Sequence, residues 1–234
     1  ANIRTCVRWG QIRSRYDALL AANLSPDFPE DRHIMFRRCR MWLICQARSK
    51  ELSADNIQSF SLLPDGSGLW RFHVPAGNGL FCDVGVSLSI VDGKNAVRMR
   101  LLRLDGPGRL IDAREPVSII IRTDVEDRNF HFETKAYAGP ENSFPKAVTA
   151  KADSFSFKPA SDRELVVRVS KGAFHTSPEW SYSVFMQNEA DRGLESNSDI
   201  FSPGYFESPL NAGAPVELCA QILTPAEPHP VGFS

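Results

Sequence analysis

Long apolar runs are missing from this 234-residue chain. None approaches the roughly 18 to 20 residues that a membrane span needs, and no charged-then-apolar leader opens the chain. The sequence therefore reads as neither a membrane protein nor a visibly secreted one. Cysteine is scarce, with Cys6, Cys39, Cys45, Cys82 and Cys219 forming no Cys-x-x-Cys pair and having no His at ligand spacing. That excludes a zinc-finger framework and a disulfide scaffold, and the thiols read as buried and reduced in a cytoplasmic protein. Also missing are a phosphate-binding glycine loop, a nucleophile elbow, a paired-His metalloprotease motif and a dinucleotide fingerprint. No catalytic residue, metal ligand or cofactor is predicted. Net charge is small, 27 Lys and Arg against 28 Asp and Glu, so the composition points to no nucleic-acid or membrane partner.

What is present is an ordinary globular composition, 42% hydrophobic and 24% charged, in a chain long enough to bury about 70 to 75% of its surface. The chain opens on Ala1 instead of Met, which reads as a piece of something longer. Charge is uneven: residues 1–50 hold ten Lys or Arg against four Asp or Glu, giving +6, and the remainder carries −7. These arginines alternate with apolar residues, so the expectation is a solvated face that meets the acidic remainder. Ile3, Thr5, Val7 and Trp9 predict a short strand over residues 2–9. From Gln11 the spacing of Ile12, Tyr16, Leu19 and Leu20 predicts an amphipathic helix, interrupted by Pro26 and Pro29. Asp31 offers an N-cap for a second helix to about Ala47, with Met35, Cys39, Trp42 and Leu43 on its apolar face.

Beyond residue 67 the pattern changes to period two. Strands are predicted over 68–76, 80–91, 96–104, 116–125 and 129–138, then around Phe155 and Phe157, 165–169, 181–186 and 216–223. Leu80, Cys82, Val84, Val86, Leu88 and Ile90 alternate with mostly smaller or polar partners, and Asp92-Gly93-Lys94-Asn95 reads as a hairpin turn. About nine strands without intervening helices predict an antiparallel sandwich. The domain reading is a largely helical segment 1–50, a β-sandwich 51–224 and a Pro-containing linker 225–234.

Candidate chemistry is sparse. His131 and Glu133, two apart on one predicted strand face, offer an acid–base pair or a solvated pair. Trp180 and Tyr182 share a strand side for which burial is expected. The segment 189–206 is polar and turn-rich yet holds Phe201, Tyr205 and Phe206, so it reads as an irregular functional or interface loop. Its lone cation, Arg192, lies among Glu189, Asp191, Glu195 and Asp199, which predicts a guanidinium fork bonding two of them, with Gly193 easing the turn.

Two stretches carry a family resemblance. Trp180-Ser181-Tyr182 through Glu189, Arg192-Gly193-Leu194-Glu195, Asp199 and Phe201-Ser202-Pro203-Gly204-Tyr205-Phe206 resembles the end of the non-catalytic N-terminal domain of bacterial and archaeal glycogen debranching enzymes. Arg122 to Tyr137 is similar to a branch of the same family. The resemblance implies a galactose mutarotase-like antiparallel β-supersandwich, here preceded by two N-terminal helices. It implies as partner the catalytic domain of the same parent chain, a helical toroid that carries α-1,6-glucosidic hydrolysis, with α-glucan as a possible ligand. Glu189, Arg192, Gly193, Asp199, Tyr205, Phe206, Trp180 and Tyr182 become the candidate glucan-binding or domain-interface residues. Two alternatives stay open: a stand-alone sugar epimerase drawing on His73, His131 or His175, and an interaction module using the basic N-terminal segment.

Overall fold

The computed structural model of this chain describes residues 1–24, 27–28, 32–106 and 108–233. The chain lays β1 (Asn2–Arg4), β2 (Ala18–Asn23), β3 (Arg32–Cys45) and β4 (Arg48–Glu51) in a first sheet. It crosses to a second for β5 (Ile57–Leu62), β6 (Gly68–Gly77), β7 (Leu80–Ile90) and β8 (Ala96–Leu104), and returns for β9 (Val117–Asn129). After a short helix α1 (Pro140–Ser143), strands β10 (Val148–Ala150), β11 (Ser154–Ala160) and β12 (Arg163–Val169) rejoin the second sheet. Then β13 (Ala173–Phe185), helix α2 (Gln187–Ala190) and β14 (Asn197–Pro209) return to the first, and β15 (Val216–Leu223) ends in the second. The orders are β1-β2-β3-β9-β14-β13, with β4 on β3, and β10-β11-β12-β15-β8-β7-β6-β5. Each named strand pairing is antiparallel.

One apolar core lies between the sheets, built from the inward members of each alternation. Cys82, Val84, Val86 and Leu88 of β7, Val97, Met99 and Leu101 of β8, and Ile119, Ile121 and Val125 of β9 are all buried there. The predicted hairpin at 92–95 joins β7 to β8, with Gly93 at φ 66°. Every residue of β15 is buried, because the second sheet's outer face is crossed there by residues 224–233. Gln221 bonds Glu227, the His229 carbonyl and the Val231 amide, and Arg98 bonds the Gly232 carbonyl.

Four expectations are corrected. Neither N-terminal helix forms: residues 11–17 are turns and irregular backbone leading into strand β2, and the second is strand β3. β3 alternates Cys39, Met41, Leu43 and Cys45 inward with Arg38, Arg40, Trp42 and Ile44 outward, and β2 is buried on both faces, one in the core and one against Ile34 and Phe130. Spacings that suited a helix face also contained a period-two set, and pairing with the Ile-rich β9 selects it. Pro26, Pro29 and Asp31 lie outside the described residues. The predicted strand 129–138 is a turn followed by a single 3-10 turn at Ala136–Ala138, because the Asn129 side chain accepts the His131 amide in an Asx-turn. The predicted strand 2–9 keeps strand geometry only at Asn2–Arg4. Finally, residues 197–206 form most of β14 instead of an irregular loop.

Candidate functional site

The outer face of the first sheet carries rows of side chains set by register. Arg40, Arg122, Tyr205 and His175 stand side by side on β3, β9, β14 and β13. In the next row Arg38 faces Asp124, and on the other side Ile120 stands between Trp42 and Glu207. Like charges directly opposite are unfavourable in a sheet, and here two carboxylates interleave them. The Asp124 side chain, 1% exposed, accepts from Arg38 Nε at 2.5 Å and from Arg40 Nε and Nη2 at 3.1 and 2.8 Å. Glu179 joins Arg40 Nη1 and Arg122 Nη1, each at 3.1 Å. Arg122 also donates to the Ser177 carbonyl and hydroxyl and lies 5.8 Å from the Tyr205 ring, which stacks on His175. The hydrogen bonds and charges of Asp124 and Glu179 outweigh the burial that lowers the Arg40 pKa, so its proton is held more tightly than in water. The result is a preorganised polar grid, three guanidiniums against two carboxylates, on a solvent-facing sheet.

At one end this face is covered by residues 8–17 and α2, tied down by a buried charge network. Glu126 and Arg37 are both buried, with Arg37 Nε 3.3 Å and Arg128 Nη2 3.1 Å from Glu126 Oε2, while Ser198 donates to Oε1. Arg37 in turn donates to the carbonyls of Ser14, Arg15 and Asp17. Burial, with the repulsion of Arg128 added, brings the Arg37 pKa down to about 10 despite the attraction of Glu126. Arg15, Arg37, Arg38 and Arg40 thus meet acids beyond residue 120, as expected from the uneven charge, but the expected solvated face is corrected at Arg37, which is buried.

Glu189 is fully buried and accepts from Ser14 Oγ and the Arg15 amide, both at 2.7 Å. Arg192 Nη1 donates to Glu189 Oε2 at 3.2 Å, and its side chain is 57% exposed. Asp199 instead binds the Ala136 and Ser183 amides, Asp191 bonds Gln187, and Glu195 bonds the Asn197 amide. The predicted fork does not form, because each acid has a nearer donor. Gly193 does close the turn after α2, at φ 68°. Phe206 is fully buried against Phe155 and Phe174, which removes it from any ligand surface. Trp180 is half-buried on Phe144 and Phe201, while Tyr182, expected to be buried, is 56% exposed and donates to Glu141 at 2.5 Å. The core ends between these two positions of β13.

His131 and Glu133 share no strand: Glu133 bonds Arg15 at 2.7 Å, and His131 approaches Tyr16. His73 pairs with Asp83 at 2.6 Å on the second sheet's outer face, and His175 stands on the first, so no two of these three converge. The grid itself escaped sequence reading. Its signal was the pair of period-two couples Arg38-x-Arg40 and Arg122-x-Asp124, legible only once both segments are known to be neighbouring strands.

Against known proteins, the profile of the family described as glycogen debranching enzyme N terminal matches residues 7–217. No curated protein matches the chain. Among solved structures, a bacterial glucoamylase complexed with acarbose is similar over 97% of this chain and 35% of that one, at 8% identity and a TM-score of 0.47. A protein from the human microbiome described as a kojibiose phosphorylase is similar over 85% of this chain and 23% of that one, at 8% identity and a TM-score of 0.39. The chain thus spans about a third or less of the length of either. No helix among the described residues is long and apolar enough to cross a membrane.

Proposed function

The chain belongs to the glycogen debranching enzyme N-terminal family, and on that footing we propose that it is the non-catalytic domain of a glycogen debranching enzyme-like protein. On this reading it folds as a β-supersandwich of galactose mutarotase type, works beside a catalytic helical toroid of the same parent chain, and supports α-glucan binding. The family match over residues 7–217 is the observation that carries the reading. Hydrolysis of the α-1,6 bond belongs to the toroid, and no residue of this chain is assigned a catalytic role. Residues 225–234 serve as the linker, and the cytoplasm is the compartment that keeps five free thiols reduced.

We place the toroid on the outer face of the first sheet. The Arg38, Arg40, Arg122, Asp124 and Glu179 grid is held by its own bonds before any partner arrives, so little side-chain order is lost on docking. The half-buried Trp42, Ile44 and Ile120 beside it supply an apolar centre. Tyr182, exposed beyond Trp180, is the ring assigned to stack on a glucose face.

The test is migration of the purified chain through native gels with and without glycogen, alongside an assay for glucose release from a branched dextrin. Retardation that weakens in Tyr182→Ala, without glucose release, is expected. Glucose release by the chain alone overturns the non-catalytic reading, and unchanged migration overturns the glucan role. Ile120→Asp should abolish co-elution with the separately produced remainder of the parent chain, and co-elution of that variant removes this face from the interface.

A further inference from the structure

A cleft of about 660 Å³ opens between residues 8–13 and the end of β13, bordering the polar grid at Arg38. Arg8, Arg13 and Arg38 line it together with Gln11, Gln187 and Phe185, and no carboxylate is among the lining residues. Arg38 spends its charge on Asp124. Arg8 and Arg13 are exposed, and the side chain of neither has an ion-pair or hydrogen-bond partner among the described residues. Acids of the neighbouring segments are engaged elsewhere: Asp17 accepts the Arg13 and Ser14 amides and pairs with Arg4, Glu189 accepts from Ser14 and the Arg15 amide, and Asp191 accepts from Gln187. Two guanidiniums are therefore left unneutralised at one mouth.

These arginines stand on a rigid turn. Trp9 is buried against Trp70 and Phe72, and Trp70 Nε1 bonds the Val7 carbonyl at 2.8 Å. Gly10 takes a φ of 78°, the Gln11 amide bonds the Arg8 carbonyl, and the Asn188 amide bonds the Arg13 carbonyl at 2.8 Å. Fixed anchors at positions 7, 9 and 13 hold the two Cα positions, so only side-chain order remains to be lost on binding. A guanidinium offers its fork to an oxyanion bidentately, and two such forks match the charge of about −1.5 to −2 on a phosphomonoester at neutral pH. The Phe185 ring, 52% exposed at the same cleft, offers an apolar face to whatever bears the phosphate.

We propose that this cleft binds a phosphomonoester, with Arg8 and Arg13 holding the phosphate and Phe185 lying against its ring-bearing body, a phosphorylated sugar. The choice of a sugar rests on the carbohydrate reading above, whereas the phosphate rests on the arginines alone.

The experiment is calorimetric titration of the chain, at low ionic strength, with inorganic phosphate, glucose 6-phosphate and glucose. Both phosphates are expected to bind, glucose 6-phosphate more tightly, and glucose not at all. Arg8→Ala combined with Arg13→Ala should weaken both at least about tenfold while leaving the melting temperature unchanged, since neither side chain bonds the fold. Phe185→Ala should remove only the advantage of the sugar phosphate. Binding that persists in the double variant, or no phosphate binding by the folded parent, overturns the site. Equal affinity for phosphate and glucose 6-phosphate overturns the sugar body. Failure of glycogen to retard the chain overturns the glucan reading without touching the phosphate titration.

Discussion

Glu126 sits without solvent contact between Arg37 and Arg128, and its carboxyl stays ionised because two guanidiniums outweigh burial. Removing its charge strands both cations inside the protein. Glu126→Gln is therefore expected to cost about 3–5 kcal/mol, the range for breaking a buried ion pair, read from chemical denaturation. Arg192→Ala is the contrasting case, since Glu189 keeps Ser14 and the Arg15 amide without it. An exposed partner of this kind is worth at most about 1 kcal/mol, so the variant's denaturation midpoint should stay close to that of the parent. Acid stability follows from the same groups. Burial raises the pKa of Glu126, Glu189 and Asp127, but bonds and charges from Arg37, Arg128, Ser14, Arg15, His33 and Arg163 bring each below its ordinary value of 4.5 or 3.8. Between the folded and ordinary pKa values the unfolded chain binds more protons, so stability rises with pH there. The contribution is complete above about pH 5 and is lost as pH falls through the depressed folded values. A urea midpoint that stays flat from neutral pH down through that window would contradict the assignment.

At the scale of elements, β3 shows how a pattern misleads. Met35, Cys39, Trp42 and Leu43 fit a helix face, yet Cys39, Met41, Leu43 and Cys45 fit a strand face equally well, and apolar or arginine side chains on both faces hide the alternation. β2 is worse, because Ala18 to Ala22 are good helix formers and all are buried, which leaves no polar face to betray the period. β7 and β8, with one face in the core and polar residues on the other, were legible at once. β14 was hidden by Pro203 and Gly204, which read as a turn and instead lie inside the strand, where the register shifts between Phe201 and Tyr205. Gly204 is required there by close approach: a Cβ would lie 2.1 Å from the His175 carbonyl oxygen and 2.8 Å from the Phe174 ring. Gly204→Ala must push β13 off β14, at a cost on the order of 1–3 kcal/mol. An unchanged denaturation midpoint would show that the two strands can separate freely.

At the scale of the whole molecule, the second sheet's outer face and the chain's end depend on each other. Cys219 points outward from β15 between Arg98 and Arg168, whose guanidiniums bond the Gly232 and Val231 carbonyls, so residues 224–233 pass over it. Burial raises its pKa, which makes the thiol doubly slow to react. Removing residues 225–234 should speed labelling of Cys219 by a thiol reagent by an order of magnitude or more, and unchanged labelling would mean that β15 is shielded by its own sheet. The sequence by itself determined a mainly β chain, the positions of β6, β7, β8 and β15, the pairing of an early basic segment with later acids, and, through the stretches 122–137 and 180–206, the family. Those features rest on local periodicity, composition and contiguous residues. The tertiary structure alone decided that Ala18–Asn23 and Arg32–Cys45 are strands, that Arg38, Arg40, Arg122, Asp124 and Glu179 form one grid, and that Arg8 and Arg13 stand unpaired beside Phe185. These depend on which segments become neighbours, and juxtapositions of residues some 80 to 180 apart leave no mark on either segment alone.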